Sequence, residues 1–147
     1  MTPATRLYLA WLAAILATLG SLYFSEVRGF IPCILCWFQR ICMYPLVIVL
    51  GVAAYRTDWG ARAYALPLAL IGWLIAAYHN AENFGWLPSL KACSTNPAEG
   101  CGVHWPIFGA GNEQISNIIS IPVLSFVAFT VILLLLLWPV RRPRLAY

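Results

Sequence analysis

Residues 7–24 read LYLAWLAAILATLGSLYF, an apolar run without a charged side chain. As a helix rising 1.5 Å per residue, such a run crosses most of a ~30 Å hydrocarbon layer. Three more apolar stretches follow at about 33–55, 63–79 and 118–140, and the core of the last, Val131 to Trp138, is almost pure leucine. Each comes near the ~20 residues a spanning helix needs. The whole chain agrees: 62% of its 147 residues are hydrophobic and only 10% are charged, against about 25% charged in soluble domains. Too little polar surface remains to cover a water-soluble globule.

The expected fold is therefore all-α. It is a single polytopic membrane domain, residues 1–147, forming a bundle of four transmembrane helices with outer loops at 25–32 and 80–117. Pro45, Pro67 and Pro122 fall inside apolar segments, where neighbouring helices re-satisfy the freed carbonyls. The first run resembles a signal peptide in following Arg6. It is long for an h-region, however, and no A-x-A-like site precedes Glu26, so a retained helix is expected. No internal repeat or low-complexity segment appears.

The net charge is +4, but the basic residues are scattered between apolar segments. They read as topology signals rather than a nucleic-acid surface. Arg6, Arg56, Arg62, Arg141, Arg142 and Arg144 flank one side, while the opposite loops hold Arg28, Lys91 and most of the acids. The positive-inside rule predicts both termini in the cytoplasm and both loops outside.

That topology sorts the five cysteines. Cys33 and Cys36 form a C-x-x-C at the expected outer end of the second helix, and Cys93 and Cys101 lie in the long outer loop. All four would sit where disulfides form and persist. Cys42, six residues beyond Cys36, lies about 240° round the helix axis from it and reads as an inert buried thiol. Pro32 before Cys33 suggests a helix start, placing Cys33 in the first turn, where free N–H groups and the helix dipole favour a thiolate. Closing so short a loop stabilises weakly, which favours redox turnover over a static bridge. Arg40 shares the helical face of Cys33 and Cys36. An arginine within a span marks function by default; it would stabilise a thiolate or negative charge growing on the carbonyl oxygen of a bound ring. Snorkelling to headgroups is its alternative.

The loop around Cys93 and Cys101 is rich in Gly, Pro, Ser and Asn, the composition of an exposed segment able to meet a soluble protein. Two pairs in relay would carry electrons from a soluble dithiol into the bilayer, and a structural loop staple is the alternative. A Cys₄ zinc site fits poorly, because seven residues separate Cys93 from Cys101 where ligands usually stand two to four apart. Haem attachment would need C-x-x-C-H, and Trp37 follows Cys36. No metal is expected.

The run Pro32-Cys33-Ile34-Leu35-Cys36-Trp37-Phe38-Gln39-Arg40, followed by Met43-Tyr44-Pro45-Leu46, resembles the signature of the DsbB disulfide bond formation proteins, in particular their shorter BdbC-like branch. The segment Ile121-Pro122-Val123-Leu124-Ser125-Phe126 is similar to that branch's fourth helix. The resemblance covers essentially the whole chain. It implies a protein dithiol:quinone oxidoreductase of the bacterial cytoplasmic membrane, monomeric, with its active cysteines outside. The implied partner is an extracytoplasmic thioredoxin-fold thiol oxidase, and the implied cofactor is menaquinone or ubiquinone. The family's relay would have Cys93 form the mixed disulfide with the partner, Cys101 exchange with Cys33, and Cys36 pass electrons to the quinone. Arg40 matches the family's quinone-site arginine, and His79 a polar residue near the ring. Gln39 stands where some relatives have an acid.

Two rival readings differ in checkable ways. A vitamin K epoxide reductase-like enzyme would carry its C-x-x-C in the last helix, whereas here Cys33 and Cys36 lie in the second apolar stretch. A non-enzymatic accessory subunit with two static disulfides would show neither quinone dependence nor dithiol exchange.

Overall fold

A computed structural model describes residues 2–29, 32–87 and 120–138. Cys93, Cys101 and the basic group Arg141, Arg142 and Arg144 lie outside the described residues. Helix α1 (Pro3–Leu22) starts where Thr2 caps it, the Thr2 hydroxyl accepting from the Thr5 N–H at 3.2 Å with Pro3 in the first turn. Such a cap contributes about 1 kcal/mol. The chain then widens into a π-helical turn, Tyr23–Val27.

Helix α2 (Ile34–Arg56) continues through Pro45, so its ladder lacks one N–H donor midway. It stops at Thr57, which adopts a left-handed φ of 52° and returns its N–H to α2 carbonyls. Asp58 accepts from the Gly60 N–H at 2.8 Å. This bond shapes the short 3₁₀ turn Trp59–Ala61 that leads into α3 (Arg62–Asn83). Helix α4 (Ile121–Leu137) opens at Ser120, with Pro122 in its first turn. Pro122 was expected inside the apolar segment; in the first turn its missing N–H costs no helical bond.

The described elements are helical throughout, and three of them, Pro3–Val27, Ile34–Arg56 and Trp59–Asn83, are long and apolar enough to cross a membrane. α4 is apolar and shorter over its described 17 residues. The helices form a ring in which α1 packs on α2 and α4, and α3 on α2 and α4. The short connection through Thr57 and the 3₁₀ turn makes α2 and α3 antiparallel.

Small residues bring the helices together. α1 turns Leu7, Ala10 and Ala14 inward, and α3 turns Ala65, Ala69, Gly72 and Ala76. α4 answers with Phe129, Ile132 and Leu136, all fully buried. Hydrocarbon offers no hydrophobic drive between helices, so close backbone approach and polar contacts must hold them. Two such contacts lie outside the cysteine region. Trp73 donates its indole N–H to the Thr130 hydroxyl at 2.9 Å, linking α3 to α4. Buried Arg6 donates from Nη1 to the Trp138 carbonyl at 2.8 Å, satisfying an end group of α4. Arg6, read from sequence as a topology signal, thus also ties the two ends of the described chain.

Phe129 lies where a Cβ on Gly72 would have to sit, whereas nothing lies within 4 Å of a Cβ on Gly20. Gly72→Val should therefore destabilise the detergent-solubilised bundle by about 1–3 kcal/mol through overpacking. Gly20→Ala should be tolerated. Thermal unfolding of the two variants beside the parent checks this, and equal melting temperatures would refute the packing argument.

Candidate functional site

Cys33 precedes α2 in extended backbone, φ −68° and ψ 171°, and its sulfur accepts the Cys36 N–H at 3.3 Å. It is the N-cap of α2, one residue earlier than the first-turn position expected from Pro32. The physical reason is that the sulfur itself serves as the capping acceptor for a free backbone donor. The cap also brings the two thiols together, with Sγ atoms 2.8 Å apart and both cysteines free.

The neighbouring helix supplies His79. It continues the inward stripe of α3, three residues after Ala76, and is only 3% exposed. Its Nε2 lies 3.7 Å from the Cys33 sulfur, and its Nδ1 lies 3.1 Å from Gln39 Nε2. Ser125 of α4 donates its hydroxyl to Gln39 Oε1 at 2.6 Å, with the Pro122 carbonyl a second acceptor at 2.9 Å. In this arrangement the Gln39 amide donates to Nδ1. The ring proton then sits on Nε2, aimed at Cys33.

Three donors thus converge on one sulfur just outside the apolar length of α2. The Cys36 thiol, followed by His79 and the Cys36 backbone N–H, holds Cys33 well below the usual thiol range, against the opposing pull of burial. Cys33 is the sulfur that the site keeps as a thiolate.

Arg40 lies one turn beyond Cys36 but reaches the other way, toward α1. Its Nη2 donates to the Ser21 carbonyl and to the Ser25 hydroxyl, each at 3.0 Å, and its Cζ lies 5.4 Å from the Trp37 ring centre. Ser25 belongs to the π-helical turn, a feature frequent at functional sites. Nη1 and Nε of Arg40 meet no partner among the described residues. Cys33, Cys36 and Arg40 share one end of α2, but the cysteines face α3 while the long arginine spans to α1.

The structure therefore brings Cys33, Cys36 and His79 into contact and places Arg40 beside them. Cys42 is 5% exposed in the apolar core, away from this group. Sequence reasoning passed over Gln39 and Ser125 as members of the site. Gln39 had left a signal: it falls on the α2 stripe Leu35, Gln39, Cys42, Leu46 and Leu50, a polar residue in an otherwise apolar buried row. Ser125 had none, since its contact spans 86 residues of chain.

Comparison with known proteins gives the family. The family profile described as Disulfide bond formation protein DsbB matches residues 3–139. A "Probable disulfide formation protein" of Deinococcus radiodurans is 53% identical over 97% of this chain and 93% of its own length. One of Coxiella burnetii is 44% identical over 82% of each chain. The "Disulfide bond formation protein C" of Bacillus subtilis is 43% identical over 87% of each. No solved structure matches.

Because Cys33 is shifted downward, its thiolate persists above the lowered value and disappears only on acidification. In the reduced protein, iodoacetamide labelling of Cys33, followed by mass spectrometry, should keep its full rate well below the ~8.5 of a free thiol. His79→Ala removes one stabilising donor and should move the midpoint upward. An ordinary thiol midpoint in the parent would refute the assignment.

Proposed function

The chain belongs to the DsbB family of disulfide bond formation proteins, and from that premise we propose that it reoxidises an extracytoplasmic thioredoxin-fold thiol oxidase and delivers the electrons to a membrane quinone. The observation that carries this reading is the C-x-x-C pair at the start of an apolar helix, flanked by His79 on one side and on the other by Arg40, whose Nη1 and Nε meet no partner among the described residues.

In the proposed relay the partner's dithiol attacks the Cys93–Cys101 disulfide, with Cys93 forming the mixed disulfide. Cys101, released as a thiolate, attacks Cys33 of the Cys33–Cys36 disulfide. Cys36 leaves with the electron pair. The N-cap contacts make Cys33 a stabilised thiolate whenever it is released, which favours its departure in exchange. The partner's second thiol then displaces Cys93 and closes the partner's own disulfide, and the freed Cys93 attacks Cys101, re-forming Cys93–Cys101 and releasing Cys33. Re-forming the Cys33–Cys36 bond from the two reduced cysteines gives up two electrons and two protons.

A quinone supplies the acceptor for those electrons and protons when bound. The residues present fit such a ring. Nη1 and Nε of Arg40, without partners among the described residues, would be available to a carbonyl oxygen, and Trp37, its ring 5.4 Å from the guanidinium, exposes apolar surface beside it. A ligand arriving from lipid would meet that surface first. Arg40 would orient the ring and stabilise the negative charge that grows on its oxygen as electrons arrive. Ser21 and Ser25 hold the guanidinium in place through Nη2.

The test is quinone reduction by the purified, detergent-solubilised protein supplied with a reduced thioredoxin-like dithiol protein. Turnover should vanish in Cys33→Ala and Cys36→Ser, while Cys93→Ser should block the partner yet leave quinone binding intact. Arg40→Ala should raise the apparent KM for quinone about 10–100-fold, the effect of losing a charged hydrogen bond worth about 1.5–3 kcal/mol. No turnover with any quinone, from folded protein with both disulfides formed, would sink the proposal in favour of a static accessory subunit.

A further inference from the structure

Once its C-x-x-C is reduced, the same corner of the bundle presents the donor set of a metal site. The two cysteine sulfurs and a His79 ring nitrogen all lie within 4.8 Å of one another. Two helices contribute, and the pair of residues closest in sequence, Cys33 and Cys36, has the two-residue spacing that zinc ligands favour. Around one zinc, at about 2.3 Å to sulfur and about 2.0–2.1 Å to nitrogen, tetrahedral ligand atoms stand roughly 3.5–3.8 Å apart. Cys33 Sγ and His79 Nε2 are 3.7 Å apart already. The sulfurs, at 2.8 Å, need to part by roughly 1 Å to reach that spacing, within reach of a thiol rotamer change.

From this geometry we infer that the reduced protein binds a thiophilic divalent cation, zinc in particular, through Cys33, Cys36 and His79, and that forming the Cys33–Cys36 disulfide abolishes the site. Buried second-sphere groups suit the purpose. A histidine bound through Nε2 must carry its proton on Nδ1 and give it to an acceptor. Half a turn of the Gln39 amide places Oε1 against Nδ1 and the NH₂ group against Ser125. The Ser125 hydroxyl then donates to the Pro122 carbonyl, 2.9 Å away. Every polar group of the line is satisfied in both settings, so the bundle accommodates either state without an orphaned donor. Protons still held by the two thiols go to water as the cation binds. Three protein ligands leave a fourth position for water. Bound metal holds both sulfurs as thiolates and so blocks their oxidation to the disulfide.

Cobalt(II) is the probe, titrated into the reduced full chain carrying Cys42→Ala, Cys93→Ser and Cys101→Ser. About one equivalent should give the visible bands of tetrahedral, thiolate-bound cobalt, with the stoichiometry of a three-ligand site, and zinc should displace it. Oxidising the remaining pair should erase the bands, as should Cys36→Ala. His79→Ala should weaken binding at least as much as Gln39→Leu, for which loss of the outer-sphere partner predicts about 10–100-fold. Circular dichroism verifies that each variant is helical. If His79→Ala does not fold, Gln39→Leu decides. No thiolate bands in the folded, reduced protein would overturn the inference, as would affinity unchanged by the deciding variant. The assay contains neither quinone nor dithiol partner, so its outcome is separate from that of the proposed turnover.

Discussion

A line of hydrogen bonds crosses the bundle from Ser125 on α4, through Gln39 on α2 and His79 on α3, to Cys33 at the start of α2. It is the constraint on which the site depends. Among apolar neighbours an unsatisfied amide or imidazole is costly, so Gln39 and His79 must find each other and Ser125 must close the end. Once they do, the relative positions of three helices near Cys33 are set. The site is therefore built by the same bonds that hold that end of the bundle together.

Packing further along the helices makes those bonds possible. Ala65, Ala69, Gly72 and Ala76 let α3 approach its neighbours closely, and Phe129 occupies the space that Gly72 leaves. His79 continues the same stripe, so the register that seats Phe129 also turns the imidazole inward. Asn80 adds to this by donating to the Pro122 carbonyl at 2.9 Å, and Asn83 by donating to the Ser120 hydroxyl at 3.3 Å. The start of α4 is thereby fixed beside the end of α3, which puts Ser125 within reach of Gln39.

Arg40 answers a different demand. A guanidinium inside an apolar helix needs acceptors, and α1 supplies them as the Ser21 carbonyl and the Ser25 hydroxyl. The π-helical turn carries Ser25 at this level. α2 therefore divides its functional end between two neighbours: a thiol chemistry corner against α3, and a cationic corner against α1.

Much of this was legible in the residues alone. Four apolar runs, few charges and the C-x-x-C ahead of Arg40 pointed to a helical membrane protein with a cysteine pair at a helix start, because length, hydropathy and spacing are local properties. The helix start was also readable to within one residue, the remaining difference being whether Cys33 lies in the first turn or caps it. What the sequence could not supply was the company that Cys33 keeps. His79 and Ser125 stand 46 and 92 residues away along the chain. The direction of Arg40 likewise depended on where α1 carries its acceptors. Such contacts are decided only when helices pack, since no local pattern encodes which buried polar groups must satisfy one another across the bundle.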